Sequence, residues 1–165
     1  MFSVARGIDK HKSVEWYTPA WVFAELGLEF DLDPASPHDH ESLVPAIIKL
    51  NVFDDGLAHQ WVGRVWLNPP YGSATKLWMS RMNAHANGVA LVFSRTDTPW
   101  WQECMRGADA ALFLSGRINF VPGNENKHKR SRAGAGSVMF AWGAENVAAL
   151  SRLSARGYFV ERRTP

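Results

Sequence analysis

The chain has 165 residues, 46% hydrophobic and 21% charged, with a formal charge of +2, which predicts one soluble domain, residues 1–165, around a single substantial core and no second folded domain. No apolar run is long enough to cross a bilayer and Met1 to Lys12 lacks a signal core, so the expectation is a cytoplasmic protein with no membrane partner. A lone cysteine, Cys104, excludes a disulfide framework and a thiolate metal cluster.

In chain order, Thr18-Pro19 is predicted to open a first helix, with Thr18 as cap and Ala20 to Leu26 as its body, before Gly27 stops it. A short strand, Leu28 to Leu32, follows. Pro34, Pro37 and Pro45 break the next stretch, where Ala46 to Phe53 holds a helical turn and a short strand. His38-Asp39-His40 reads as a solvated loop, its spacing matching no usual metal site. Arg64 to Leu67 is a strand that runs into Asn68-Pro69-Pro70-Tyr71, and Gly72 to Ala86 is a helix. Gly88 to Ser94 has the apolar centre of a buried strand. A helix from Thr98 or Pro99 to Met105 contains Cys104, read as a buried structural thiol. Ala110 to Leu114 is a strand that Arg117 to Val121 extends or bends. Ser137 to Trp142 is another strand, Glu145 to Ala155 a helix, and Tyr158 to Glu161 a final strand. Strands alternating with helices predict an α/β fold with a mostly parallel sheet and an antiparallel edge near the C-terminus. The eight tryptophans are expected mainly in its core.

Ligands of open α/β sheets bind beyond the carboxyl ends of the strands, which directs attention to Asp31 to Ser36 and Asn68 to Gly72. An amine on an aromatic base is a poor nucleophile because its lone pair is delocalised into the ring. Its alkylation needs acceptors aimed at the amine as charge develops. Asn68 offers a side-chain carbonyl. Pro69 offers a backbone carbonyl that Pro70 helps to hold rigid, and Tyr71 offers a face on which an extruded base can stack.

Asn68-Pro69-Pro70-Tyr71-Gly72 resembles the catalytic motif of amino methyltransferases acting on adenine N6, cytosine N4 and a few protein glutamines. Glu15 to Pro19, Phe30 to Ser36, Asp55-Gly56-Leu57 with Trp61, Arg95 to Thr98 with Trp100-Trp101, and Phe113 to Phe120 surround it. In this order they resemble the phage N-6-adenine methyltransferase family, often called Dam-like, over residues 15 to 142. The resemblance implies a class I, Rossmann-like methyltransferase fold, S-adenosylmethionine as methyl donor and DNA as acceptor. It implies catalytic roles for Asn68, Pro69, Pro70 and Tyr71. It implies cofactor contacts from Trp16, Thr18, Pro19, Asp33, Pro34, Ala35, Asp55 and Asn68, with Asp31 and Asp54 as the alternative carboxylates. No glycine-rich loop follows the first strand, so the acidic turn at Asp33 takes that place. Asp97 resembles a pocket residue or caps the helix after it, and Arg117 and Asn119 contact cofactor or DNA or else serve the strand edge.

Lys127-His128-Lys129-Arg130-Ser131-Arg132, flanked by glycines, is the clearest basic cluster. Lys127, Lys129, Arg130 and Arg132 are the candidate DNA-binding residues, against the alternative of a solvated surface loop. The rival functions are methylation of cytosine N4, RNA or protein amines, and a catalytically silent DNA-binding module.

Overall fold

The computed structural model describes residues 16–38, 41–122 and 133–162. Gly88–Phe93 (β5) and Ser137–Trp142 (β8) are almost wholly buried, so both faces of the sheet they form must be covered. They lie side by side in a seven-stranded sheet of order β3-β2-β4-β5-β8-β6-β9. The other members are Phe30–Asp33 (β2), Ala46–Lys49 (β3), Val65–Leu67 (β4), Ala110–Leu114 (β6) and Gly157–Glu161 (β9). Neighbours from β3 through β5 pair in parallel, whereas β8 pairs antiparallel with both β5 and β6, and β9 pairs antiparallel with β6. Thus β3, β2, β4, β5 and β6 run one way and only β8 and β9 oppose them.

Antiparallel strands near the C-terminus are therefore present, but β8 is an interior strand and only β9 stands at the edge. The burial of all six β8 residues is the reason: such a strand needs a partner on each side and a helix on each face. The more exposed β9 tolerates the edge.

Helices Ala20–Leu26 (α1) and Ala144–Ser151 (α4) cover one face, packing Val22, Phe23, Leu26, Val147 and Leu150 with Phe30, Trp66 and Leu91. Thr75–His85 (α2) and Pro99–Gly107 (α3) cover the other, where Trp78, Met79, Met82 and Trp101 meet Val65, Leu67 and Val92. Trp61, Trp66, Trp78, Trp101 and Trp142 are buried, in keeping with a core role for most indoles. Cys104 is buried too, its thiol directed to the Met79 carbonyl, and burial pushes its pKa up to about 12, which leaves it inert.

Several boundaries differ from the expected ones. Pro19, in extended conformation, occupies the cap position of α1, so Thr18 lies one residue outside and its hydroxyl caps nothing. The helix expected from Gly72 starts at Thr75, because the turn after β4 consumes the residues before it. Helix α4 stops at Ser151 and a short 3-10 turn, Ser154–Arg156, completes the connection to β9. Val121–Pro122 (β7) does not extend β6 but pairs antiparallel with Trp16–Tyr17 (β1) in a separate two-stranded ribbon. No helix among the described residues is long and apolar enough to cross a membrane.

Candidate active site

From β2 the chain crosses to β3 on one side and then returns to place β4 on the other. The carboxyl ends of β2 and β4 therefore flank the point where strand order reverses, the place at which open α/β sheets bind ligands. Asp33 ends β2 and Asn68 follows β4. Both line a cleft with Thr18, Ala35, Ser42 and Trp66. The β1–β7 ribbon brings Tyr17 and Thr18 into its wall.

A local irregularity aims Asp33 into this cleft. The N–H groups of Asp31 and Leu32 both donate to the Arg64 carbonyl, at 2.8 and 3.3 Å, a doubling of the kind that makes a β-bulge. Strand alternation is reset there. Phe30 packs in the first cluster, Leu32 joins the second, and Asp33 comes out on the face shared by Trp66 and Asn68. Asp31 secures the bulge: its carboxylate accepts the Arg64 N–H at 2.6 Å. Gly63 makes room, since its φ is +61° and a Cβ there would lie 2.0 Å from Asp31 Oδ2. Of the two acidic candidates, Asp31 is committed to the backbone and Asp33 faces the cleft.

Asp33 is 2% exposed. Burial raises its carboxyl from 3.8 to about 7, against the opposing pull of hydrogen bonds from the Ala35 N–H and the Ser36 and Ser42 side chains and of the Lys49 charge. Thr18 adds a second polar group to the same wall, with a buried hydroxyl that has no hydrogen-bond partner among the described residues. An unsatisfied buried hydroxyl costs about 1–3 kcal/mol, a debt that a polar ligand can cancel.

On the other side of the cleft, the Tyr71 hydroxyl donates to Asn68 Oδ1 at 3.2 Å, and its ring stacks on Phe93 with centroids 4.1 Å apart and planes 17° apart. Burial pushes the phenol well above its ordinary pKa, so it stays a neutral donor. Thr75 ties the turn together: its hydroxyl donates to the Pro70 carbonyl at 2.9 Å and accepts the Gly72 N–H at 3.0 Å. Pro69 is buried and Pro70 exposed.

The structure thus brings together Thr18, Asp33, Ala35, Asn68 and Tyr71. Pro19 and Pro34 are buried beside them without lining the cleft. Asp55 is exposed and outside the cleft wall, on a loop whose Gly56 packs directly against the Pro34 carbonyl. Asp54 instead accepts the Asn51 N–H at 2.8 Å. Asp97 is exposed, and no side chain caps α3. The side chain of Trp16, and all of Lys127, Lys129, Arg130, Arg132, Asp39 and His40, lie outside the described residues. Sequence reasoning missed Tyr17, Ser42, Trp66, Phe93 and Thr75. Only Thr75 left a local signal, as a hydroxyl residue just after a glycine turn where a helix opens.

No curated protein and no solved structure matches the chain. A family model described as DNA N-6-adenine-methyltransferase (Dam) matches residues 7–157, nearly its whole length. With Asn68 to Tyr71 following β4 at the switch point of the sheet, where Asn68 shares a cleft with the buried Asp33 carboxyl, the chain belongs to the DNA N-6-adenine-methyltransferase (Dam) family.

Proposed function

We propose that the protein methylates adenine N6 in DNA, with S-adenosylmethionine as donor and a class I, Rossmann-like sheet as scaffold. The observation that carries this reading is the position of Asn68 directly after β4, in the same switch-point cleft as Asp33. When bound, S-adenosylmethionine supplies an electrophilic methyl group. The residues fit such a donor: Asp33 and the unsatisfied Thr18 hydroxyl offer polar partners on one wall, and Trp66 offers an apolar surface. Ala35 lines the same cleft and completes the proposed cofactor segment.

Asn68 and the Pro69 carbonyl hold the target amine. The Tyr71 hydroxyl now occupies Asn68 Oδ1 at 3.2 Å, long for an O–H···O bond and therefore readily exchanged for an amino N–H. Accepting that N–H draws the amine lone pair out of conjugation as reaction proceeds. Phe93 covers one face of Tyr71, which directs an extruded base to the other face. The shared chemistry of cytosine N4, RNA and protein amines is separated from this reading by experiment. The protein is incubated with methyl-labelled donor and, separately, DNA, RNA and protein acceptors, and the labelled product is hydrolysed and identified. Label in N6-methyladenine from DNA is the expected result. Label in N4-methylcytosine, in RNA or in protein, or in no acceptor, overturns it.

A further inference from the structure

A second cleft opens at the end of β6 and is lined by Trp21, Ser115, Arg117, Asn119 and Arg156 among others. Because β6 runs in the same direction as β4 and β5, this cleft lies on the same edge of the sheet as Asn68. It also lies close along the chain to the first cleft: Thr18 lines one and Trp21, at the start of α1, lines the other.

The two arginines differ in what they have left to offer. Arg156 sits over the Trp21 ring at 4.8 Å and is paired with Glu25, its Nε donating to Oε2 at 3.0 Å, so its charge is compensated. Arg117 is exposed, and no carboxylate among the described residues pairs with it. One of its N–H groups donates to the Ala133 carbonyl at 3.3 Å, and Ala133 in turn donates to the Ile118 carbonyl at 3.0 Å. A guanidinium carries five donors, and among the described residues only the Ala133 carbonyl takes one of them, which leaves the others open to a ligand. Ala133 is the residue that directly follows the basic run ending at Arg132, and this pair of bonds fixes that point of the chain beside Arg117.

A guanidinium with no counter-ion among the described residues, flanked by an amide and a hydroxyl and backed by an indole wall, suits an anion attached to an aromatic or sugar group. We infer that this cleft holds a backbone phosphate of the DNA next to the extruded adenine, with Arg117 as its principal contact and Ser115 and Asn119 as neutral donors. The inference rests on DNA being the substrate. The phosphate fixes the register of the duplex over Asn68 and reads no base.

The test uses the full chain, a labelled duplex and a series of salt concentrations. Wild-type affinity should fall with salt, and Arg117→Gln should weaken binding to every sequence and flatten the log-log slope by about 0.9, while Arg117→Lys keeps most of that slope. Replacing single phosphates beside the target adenine by uncharged methylphosphonates should produce the same loss in the wild type and no further loss in Arg117→Gln, a result that misfolding cannot mimic. Unchanged affinity and slope in Arg117→Gln, or equal methylphosphonate losses in both proteins, overturn the assignment. A rise in wild-type melting temperature with inorganic phosphate that Arg117→Gln abolishes, with the DNA slope unchanged, also overturns it, by showing a site for small anions. A wild type with no salt-dependent DNA binding brings down the DNA reading itself.

Discussion

Asn68 and Asp33 line one cleft but answer to different tests. Asn68→Ala removes an acceptor proposed to act on the target amine alone, so turnover should fall by about 100-fold, on the order of 3 kcal/mol in the barrier, with donor affinity nearly unchanged. Single-turnover rates and calorimetry separate the two quantities. Asp33 couples binding to pH. Its folded-state carboxyl, raised from 3.8 to about 7, holds a proton that the unfolded chain has already released, so its contribution to stability is fully present below about pH 4 and is lost as pH rises to about 7. The decline is on the order of 4 kcal/mol. Asp33→Asn should abolish it: the variant melts above the wild type at pH 8, the two converge near pH 4, and donor binding weakens throughout. Wild-type donor affinity should in turn strengthen as pH rises through about 7, because the ionised carboxylate is the better acceptor. A variant that melts no higher than the wild type at pH 8 would show that the carboxyl is not held at this cost.

At the scale of elements, the turn between β4 and α2 depends on Thr75. Thr75→Val keeps the shape but loses the bonds to Pro70 and Gly72, and should lower kcat about 10-fold or more while donor affinity stays within about 2-fold; each lost bond costs about 0.5–1.5 kcal/mol of stability. Thr75→Ser should restore kcat. Elements whose burial follows from their own composition were legible in the sequence: Gly88–Phe93, Ala110–Leu114 and Ser137–Trp142 end within one residue of where their apolar runs end. Asn68 and Asp33 were legible as well, each a polar residue at the end of an apolar strand. What was hidden comes from pairing across distance. Two-residue strands such as Trp16–Tyr17 have no periodicity to read, and the place of β8 in the strand order depends on neighbours remote in sequence. The bulge opposite Arg64 is a backbone event, with Gly63 as its one local trace. Phe93 is an ordinary strand residue until the fold lays Tyr71 upon it.

At the scale of the whole molecule, charge is the quantity to follow. The net charge of +2 is small, so attraction to DNA must come from concentrated cations, and Lys127, Lys129, Arg130 and Arg132 hold the densest group. Neutralising all four should weaken DNA binding for every sequence and flatten its salt dependence by up to about 3.6 in the log-log slope, with donor affinity unchanged. Retained affinity and slope would show that this run faces only water. The interior position of β8 has a different reach, into the order in which the chain is made. β6 leaves the ribosome before the strand that joins it to β5, so the two halves of the sheet stay unbonded to each other until residues 137–142 emerge. Until then the apolar edge of β5, with Val89 and Leu91, has no neighbour and is open to pairing with another chain. A nascent chain arrested before Ser137 should therefore aggregate and be cut readily by protease, and one arrested far enough beyond Trp142 to expose it fully should gain resistance in a single step. Gradual protection with chain length would mean that the parallel half folds without waiting for β8.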